Sequence, residues 1–195
     1  LLDTAPDFVA AMNILLKEKN HSPLTQPIED LSKSISNGGH GMLEDWYGIT
    51  QNDQDFDSIL QRFLSLYENQ NHQQTTPFPG ILSLLTIIKK ANLKWGIVTN
   101  KPKRFTDPLL EKPNLLPQPG CVVSGDTLDK KKPHPEPMWH ACELLDVEPT
   151  NCIYVGDAQR DIEAGKSAGM ATITALFGYI PDLETANSWP ATYRA

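Results

Sequence analysis

Asp157 and Asp161 stand four residues apart in Asn151-Cys152-Ile153-Tyr154-Val155-Gly156-Asp157-Ala158-Gln159-Arg160-Asp161-Ile162-Glu163-Ala164-Gly165. The short apolar run from Cys152 to Val155 predicts a buried parallel strand. Gly156 gives a sharp exit, so Asp157 falls at the strand's carboxyl end. Asp161 then falls in the first turn of a helix ending near Gly169. Two carboxylates crowded at one spot with no obvious basic partner repel unless a cation sits between them, and hard oxygen ligands at a strand end suit Mg²⁺. The same spacing also fits a turn aspartate followed by a helix-start charge that complements the macrodipole.

Two further segments offer groups to one place. Thr99 and Asn100 close the apolar stretch Lys94-Trp95-Gly96-Ile97-Val98-Thr99-Asn100 with a hydroxyl and an amide, both suited to a phosphoryl oxygen. Thr99 is equally an ordinary strand-end residue. Lys132 lies in Asp129-Lys130-Lys131-Lys132-Pro133-His134-Pro135, where the prolines fix the backbone and can aim a lysine inward. Three successive lysines also describe a solvated loop. Taken together, Thr-Asn, Lys-Pro-x-Pro and Gly-Asp-x-x-x-Asp, each at or just after a strand, are far more specific than any one of them.

The elements that must position these residues alternate in type. After Pro77-Phe78-Pro79-Gly80 the pattern predicts a helix over 81–91, a strand over 94–100, a helix over 105–111 and a strand over 120–124. A polar loop over 125–135 leads to a helix over 137–145, the strand before Asp157, its helix, and a strand over 171–176. Strands alternating with helices make βαβ units, a parallel sheet and a ligand site at the strand carboxyl ends.

The residues before 76 read differently, as helix throughout. Thr4 as N-cap and Pro6 in the first turn open a helix through Phe8, Met12, Leu15 and Leu16. A second helix is expected over 28–35 and a third over 42–47, separated by Ser36-Asn37-Gly38-Gly39-His40-Gly41. Residues 57–69 form a strongly amphipathic helix with Ile59, Leu60, Phe63, Leu64 and Tyr67 on one face. Trp46, Tyr47 and Phe63 are expected in the core of this part, and residues 71–76 as a polar linker.

Composition sets the outer bounds. A chain of 195 residues, 39% hydrophobic and 21% charged, can bury a core and hold one domain plus a smaller insert. A net charge of −7 argues against a general binder of nucleic acid or anionic membrane. No apolar run reaches the ~18 residues of a membrane span. Cys121, Cys142 and Cys152 read as buried thiols of a reducing, cytoplasmic compartment rather than as a disulfide or zinc framework.

On these motifs the sequence resembles the haloacid dehalogenase superfamily of hydrolases, in particular its phosphoglycolate phosphatase group with the relatives that act on N-acetylmuramic acid 6-phosphate. Gly96-Ile97-Val98-Thr99-Asn100-Lys101-Pro102 is similar to the group's second motif, Lys132-Pro133-His134-Pro135 to its third, and Gly156-Asp157 through Asp161 to its fourth. The resemblance implies an α/β fold: a Rossmann-like core with a parallel sheet, over 76–195 with 1–3, and an inserted all-helical cap over 4–75. It also implies roles. Asp157 would hold Mg²⁺ with Asp161 in support and orienting Lys132, Lys132 would neutralise phosphoryl oxygens, and Thr99 and Asn100 would hydrogen-bond the phosphoryl group. In the cap, Asn37, Gly38, Gly39 and His40 are the residues expected to face substrate; a plain helix–helix turn accounts for them equally well. Asp126 is a further residue for the site rim.

One departure follows. Leu1-Leu2-Asp3-Thr4-Ala5-Pro6-Asp7 looks like the segment after the family's first motif, Asp-x-Asp-Gly-Thr, which carries the nucleophile. Asp3 and Asp7 have the wrong spacing to replace it. The sequence is therefore expected to be a fragment, cut at both ends, lacking its first strand and inactive as it stands. Trp189 to Ala195 resembles the approach to a last strand. The implied activity is Mg²⁺-dependent hydrolysis of a small phosphomonoester, 2-phosphoglycolate first and N-acetylmuramic acid 6-phosphate as the alternative. The route runs through an aspartyl-phosphate, by a monomer or homodimer without nucleic-acid or membrane partners. A non-catalytic phosphate- or Mg²⁺-binding fragment is the other class that fits, and a phosphoacceptor signalling domain leaves the helical segment without a role.

Overall fold

The computed structural model describes residues 1–70, 73–180 and 182–195. The chain divides into two compact units, Leu2–Thr76 and Pro77–Ala195, the latter including Leu1.

The first unit is built on two helices. Leu2–Asp3 (β1) leads into Ala5–Glu18 (α1), where Thr4 sits at the N-cap without a side-chain cap bond and Asp3 Oδ1 accepts the Ala5 N–H instead, at 3.1 Å. Ile28–Leu31 (α2), a 3₁₀ turn over Ser32–Asn37, Gly38–Met42 (α3) and a π-helical turn over Leu43–Tyr47 lead to Phe56–Gln70 (α4). The seam between α1 and α4 is the core: Met12, Leu15 and Phe63 are fully buried, and Phe8 stacks on Tyr67 with ring centroids 3.8 Å apart. Burying each such side chain stabilises the unit by roughly 1.5–3 kcal/mol.

Three expectations for this unit change. The glycine-rich stretch is not an open turn, because Gly38–Met42 is helical; a Cβ at Gly39 would lie 2.8 Å from Leu60 Cδ1, so that glycine lets α3 pack closely on α4. On α4, Leu66 is buried where Leu64 was expected. Tyr47 is half-buried and stacks on His21 at 5.1 Å, whereas Trp46 and Phe63 are buried as the pattern implied.

The linker expectation over 71–76 also shifts. Asn71 and His72 lie outside the described residues, but Thr75 is fully buried. Asp7, on α1 and also fully buried, is the reason: its carboxylate accepts the Gln74 N–H at 2.8 Å, the Thr75 N–H at 3.0 Å and the Thr75 hydroxyl at 2.5 Å. A buried carboxylate needs such donors, and buried N–H groups need such an acceptor. Thr76–Pro77 (β2) follows and pairs with β1.

The second unit has the alternating order the pattern implied. Ile81–Lys90 (α5), Gly96–Val98 (β3), Lys103–Glu111 (α6), Cys121–Val123 (β4) and Glu136–Leu145 (α7) come first. Ile153–Gly156 (β5), Gln159–Ser167 (α8), Ala171–Thr174 (β6), Leu183–Ser188 (α9) and Tyr193–Arg194 (β7) complete it. All strand pairs here are parallel, with Val98 opposite Val123, Val155 opposite Ile173, and Thr174 opposite Arg194. The strands form two sheets, β3–β4 and β5–β6–β7, rather than one ladder.

β5 is not the fully buried strand its apolar run suggests. Tyr154 packs inward against Met138, Ala164 and Ala168, while Ile153 is 60% exposed and Val155 48% exposed, because α7 and α8 cover only one face. At the other end Tyr193–Arg194 already forms a strand beside β6, rather than an approach to one. No helix among the described residues is long and apolar enough to cross a membrane.

Replacing Asp7 tests the closure of the first unit. Asp7→Ala takes the carboxylate from the buried Thr75 N–H and hydroxyl and from the more exposed Gln74 N–H, and should cost about 3 kcal/mol. Asp7→Asn, which keeps one acceptor oxygen, should cost less. Denaturant midpoints measure both, and an Asp7→Ala midpoint equal to wild type would contradict this account.

Candidate functional site

Lys132 is the hub of the carboxyl ends of β3 and β5. Its backbone is clamped by Asn100, whose Oδ1 accepts the Lys132 N–H at 3.1 Å and whose Nδ2 donates to the Lys132 carbonyl at 2.9 Å. The side chain, 8% exposed, then runs inward between the strands. There Nζ meets Asp161 Oδ1 at 2.7 Å, the Tyr154 hydroxyl at 2.8 Å and the Val98 carbonyl at 2.9 Å. Tyr154 closes the ring by donating its own hydroxyl proton to Val98 O at 2.8 Å. Nζ thus has two hydrogen-bond acceptors, Val98 O and Tyr154 Oη, and the Asp161 carboxylate as the partner of its charge.

Asp161 is held from the other side. Its Oδ2 accepts the Ala158 N–H at 3.1 Å, which satisfies the start of α8 and places a negative charge at the positive end of that helix. The sequence offered a helix-start charge or a member of the site, and the position serves the helix start while pairing with Lys132. Gly156 makes room, since a Cβ there would come within 2.3 Å of the Asp161 Cβ.

The electrostatics follow from burial. For Lys132, loss of water pulls the pKa down, but Tyr154 and Asp161 outweigh it and leave the ammonium above its ordinary range. Burial pushes the Tyr154 hydroxyl up to about 12 although Lys132 pulls it down. The lysine is therefore charged and the phenol neutral across the physiological range.

Asp157 is placed differently. It is half-buried at the end of β5, and its Oδ2 accepts the Tyr179 N–H at 2.9 Å from the loop after β6. Gly178 permits that approach, because a Cβ there would lie 2.4 Å from Asp157 Oδ2. Among the described residues no group of three or more His, Cys, Asp or Glu is arranged to hold a metal by itself. One carboxylate with an oxygen to spare fits Mg²⁺, which keeps several waters and relies on one or two carboxylates plus substrate phosphates. Asp161, with both oxygens engaged, would support rather than ligate.

Thr99 accepts the Lys101 N–H on its Oγ1 at 3.1 Å, which leaves its hydroxyl proton to donate. Asn100, by contrast, uses its amide on Lys132. Asp126 caps α6 by accepting the Lys103 N–H at 2.7 Å. Thr99, Asn100 and Asp157, just past the ends of β3 and β5, thus lie in one unit with Lys132 from the loop before α7 and Asp161 from the first turn of α8. Asn37, Gly38, Gly39 and His40 lie in the other unit, on the 3₁₀ turn and α3, with His40 exposed and 5.4 Å from the Phe56 ring. Tyr154 and the Tyr179 N–H went unnoticed in the sequence. A tyrosine inside an apolar strand, where its hydroxyl must find a partner, was the available signal.

Breaking the pair should be costly. Lys132→Met leaves the Asp161 charge buried without its partner, an expected loss of about 3–5 kcal/mol. Adding Asp161→Asn should recover a large part, and a double variant no more stable than the single one would sink the pairing account. Alkaline unfolding is a second check. The folded-state values of Lys132 and Tyr154 lie above their unfolded ones of 10.5 and 10.0, so their contribution is intact below about pH 10. It is lost as pH rises through the folded values. Thermal midpoints contributed by this site should hold to that point and fall beyond it.

Comparison with known proteins places this arrangement. The sequence pattern of the haloacid dehalogenase-like hydrolases matches residues 1–175. The chain is 34% identical over 191 residues to N-acetylmuramic acid 6-phosphate phosphatase of Pseudomonas putida, covering 98% of this chain and 85% of that protein. It is also 34% identical over 194 residues to phosphoglycolate phosphatase of Xylella fastidiosa, covering 98% and 82%. A HAD-superfamily hydrolase from Geobacter sulfurreducens shares the fold, with a TM-score of 0.76 at 18% identity over 100% of this chain and 86% of that one. By that family match and those relatives, carried on a parallel α/β scaffold, the chain belongs to the haloacid dehalogenase-like hydrolases.

Proposed function

We propose that this chain carries the phosphate-binding half of a Mg²⁺-dependent phosphomonoesterase, with 2-phosphoglycolate as its substrate. The observation that carries the reading is the buried Lys132–Asp161 pair beside the half-engaged Asp157 at parallel strand ends. Such a place offers one carboxylate for a cation, beside a lysine whose charge Asp161 already offsets. Hydrolysis of a phosphomonoester is mainly a matter of positioning and of stabilising charge on the equatorial oxygens.

In this reading Thr99 donates its hydroxyl to a phosphoryl oxygen. Asn100 acts through Lys132, whose backbone it fixes. Asp157 is the residue that would hold Mg²⁺, which when bound would offset the charge of the phosphoryl group. Asp161 keeps Lys132 protonated and in place. Leu2–Thr76 serves as a cap that selects the leaving group, with Asn37, Gly38, Gly39 and His40 facing substrate. Neither Asp3 nor Asp7 is the nucleophile of the aspartyl-phosphate route, since one caps α1 and the other holds Thr75.

N-acetylmuramic acid 6-phosphate is the second reading. It is favoured by the name of the Pseudomonas putida relative at the same 34% identity. Both candidate substrates carry a carboxylate besides the phosphate, so a site for a doubly anionic molecule serves either.

The test is phosphate release from each compound by the full-length gene product, with and without Mg²⁺. Asp157→Asn should lower release on the order of 100-fold or more, beyond what loss of an outer-shell group costs. Whichever compound is turned over faster names the substrate. Absence of Mg²⁺-dependent release on both, from folded protein, would end the phosphatase reading and leave a binding module.

A further inference from the structure

Two thiols of the second unit face each other away from the strand-end site. Cys142, in the last turn of α7, places its Sγ 3.8 Å from Sγ of Cys152, the residue just ahead of β5. A disulfide needs the sulfurs at about 2.0 Å. We propose that Cys142 and Cys152 are an oxidisable pair, converted to an intramolecular disulfide by a hydroperoxide and restored by a thiol reductant.

Access and order are both set by the surroundings. A cavity of about 540 Å³ opens beside α7, lined by Trp139, Cys142, Glu143 and Glu148 among others. Cys152 is half-buried and donates its S–H to the Glu148 carbonyl at 3.4 Å, on that same wall. Cys142 is buried, and burial first, then Cys152 beside it, pushes its pKa up to about 12. Cys152 is the more exposed of the two, so a peroxide reaches it first. The third thiol, Cys121, lies buried on β4 and points to the Ala141 carbonyl at 3.7 Å.

The chemistry balances with one peroxide. The Cys152 thiolate attacks a peroxide oxygen, the O–O bond breaks, and hydroxide leaves; Cys152 is now a sulfenic acid. The Cys142 sulfur then attacks the Cys152 sulfur. The S–S bond forms, the S–O bond breaks, and the departing hydroxide takes the Cys142 proton as water. Two thiols have lost two electrons and two protons, and one hydrogen peroxide has become two waters. Because Cys142 is so weakly ionised, the second step is the slow one, and the sulfenic acid should persist long enough to be trapped.

The experiment is peptide mapping of the folded chain after limited hydrogen peroxide, without reductant. Cleavage after Glu143 separates the two cysteines, so a disulfide appears as two peptides joined until reductant is added. Thiol titration should fall from three groups to one. Cys142→Ser should instead yield a Cys152 sulfenic acid that a dimedone-type probe labels, and Cys121→Ser should leave the bridge unchanged. The wild-type map decides even where a variant folds badly. Three thiols surviving peroxide, a bridge involving Cys121, or cross-links only between chains would each overturn the proposal. The readout involves no phosphatase assay, so its failure and failure of the enzymatic reading are distinguishable.

Discussion

A lysine ammonium taken out of water is tenable only where its charge and its donors are met, and that constraint orders the ends of β3 and β5. Lys132 has Asp161 for its charge and Tyr154 and Val98 as hydrogen-bond acceptors. Each partner imposes a demand of its own. Asp161 can reach Nζ only because residue 156 has no side chain, and it keeps a second oxygen for the start of α8. Tyr154 must point off β5 toward the Val98 carbonyl. Asn100 must hold the Lys132 backbone by both ends of its amide. The desolvation cost of such a pair nearly cancels its attraction, so its main effect is to fix geometry rather than to add stability. Removing either member alone is what costs.

The order of elements was legible because it rests on local pattern. Apolar runs bounded by glycine and proline marked β3, β4, β5 and β6, and the alternation with helices announced parallel pairing. Burial was less legible, because it depends on what lies across the strand. The run from Ile153 to Val155 is apolar at every position, yet two of its side chains are exposed. Glycines were the least legible. Gly38-Gly39 fits a helix–helix turn by its sequence, but Gly39 sits where α3 touches α4, and only knowledge of the neighbour Leu60 reveals that. The buried Asp7 likewise gave no local sign, because its partners are 67 and 68 residues away.

The candidate site shows the same division. Thr99, Lys132, Asp157 and Asp161 were visible as residue types at strand ends. Spacing alone does not show which of them face one another, because pairing is decided by side-chain reach; the resemblance is what pointed to Asp161 beside Lys132. By residue type and spacing the two aspartates call for a cation between them, and only the resemblance gives them different roles. A cation is indeed present for one of them, as the lysine already in the chain.

That asymmetry has a consequence for charge at the strand ends. Lys132 and Asp161 cancel at close range, so they leave little net field for an incoming ligand. Asp157 then stands as an uncompensated negative charge whose recorded hydrogen bond engages one oxygen only. A phosphomonoester dianion approaching Thr99 meets that charge, and like charges in a partly desolvated place repel strongly. A monovalent ion would only balance Asp157. A divalent one balances Asp157 and still offers a positive charge to the phosphoryl oxygens, which is what a hard dication with a few oxygen ligands does. On charge count alone, the phosphate binding proposed for these strand ends would require a divalent cation at Asp157.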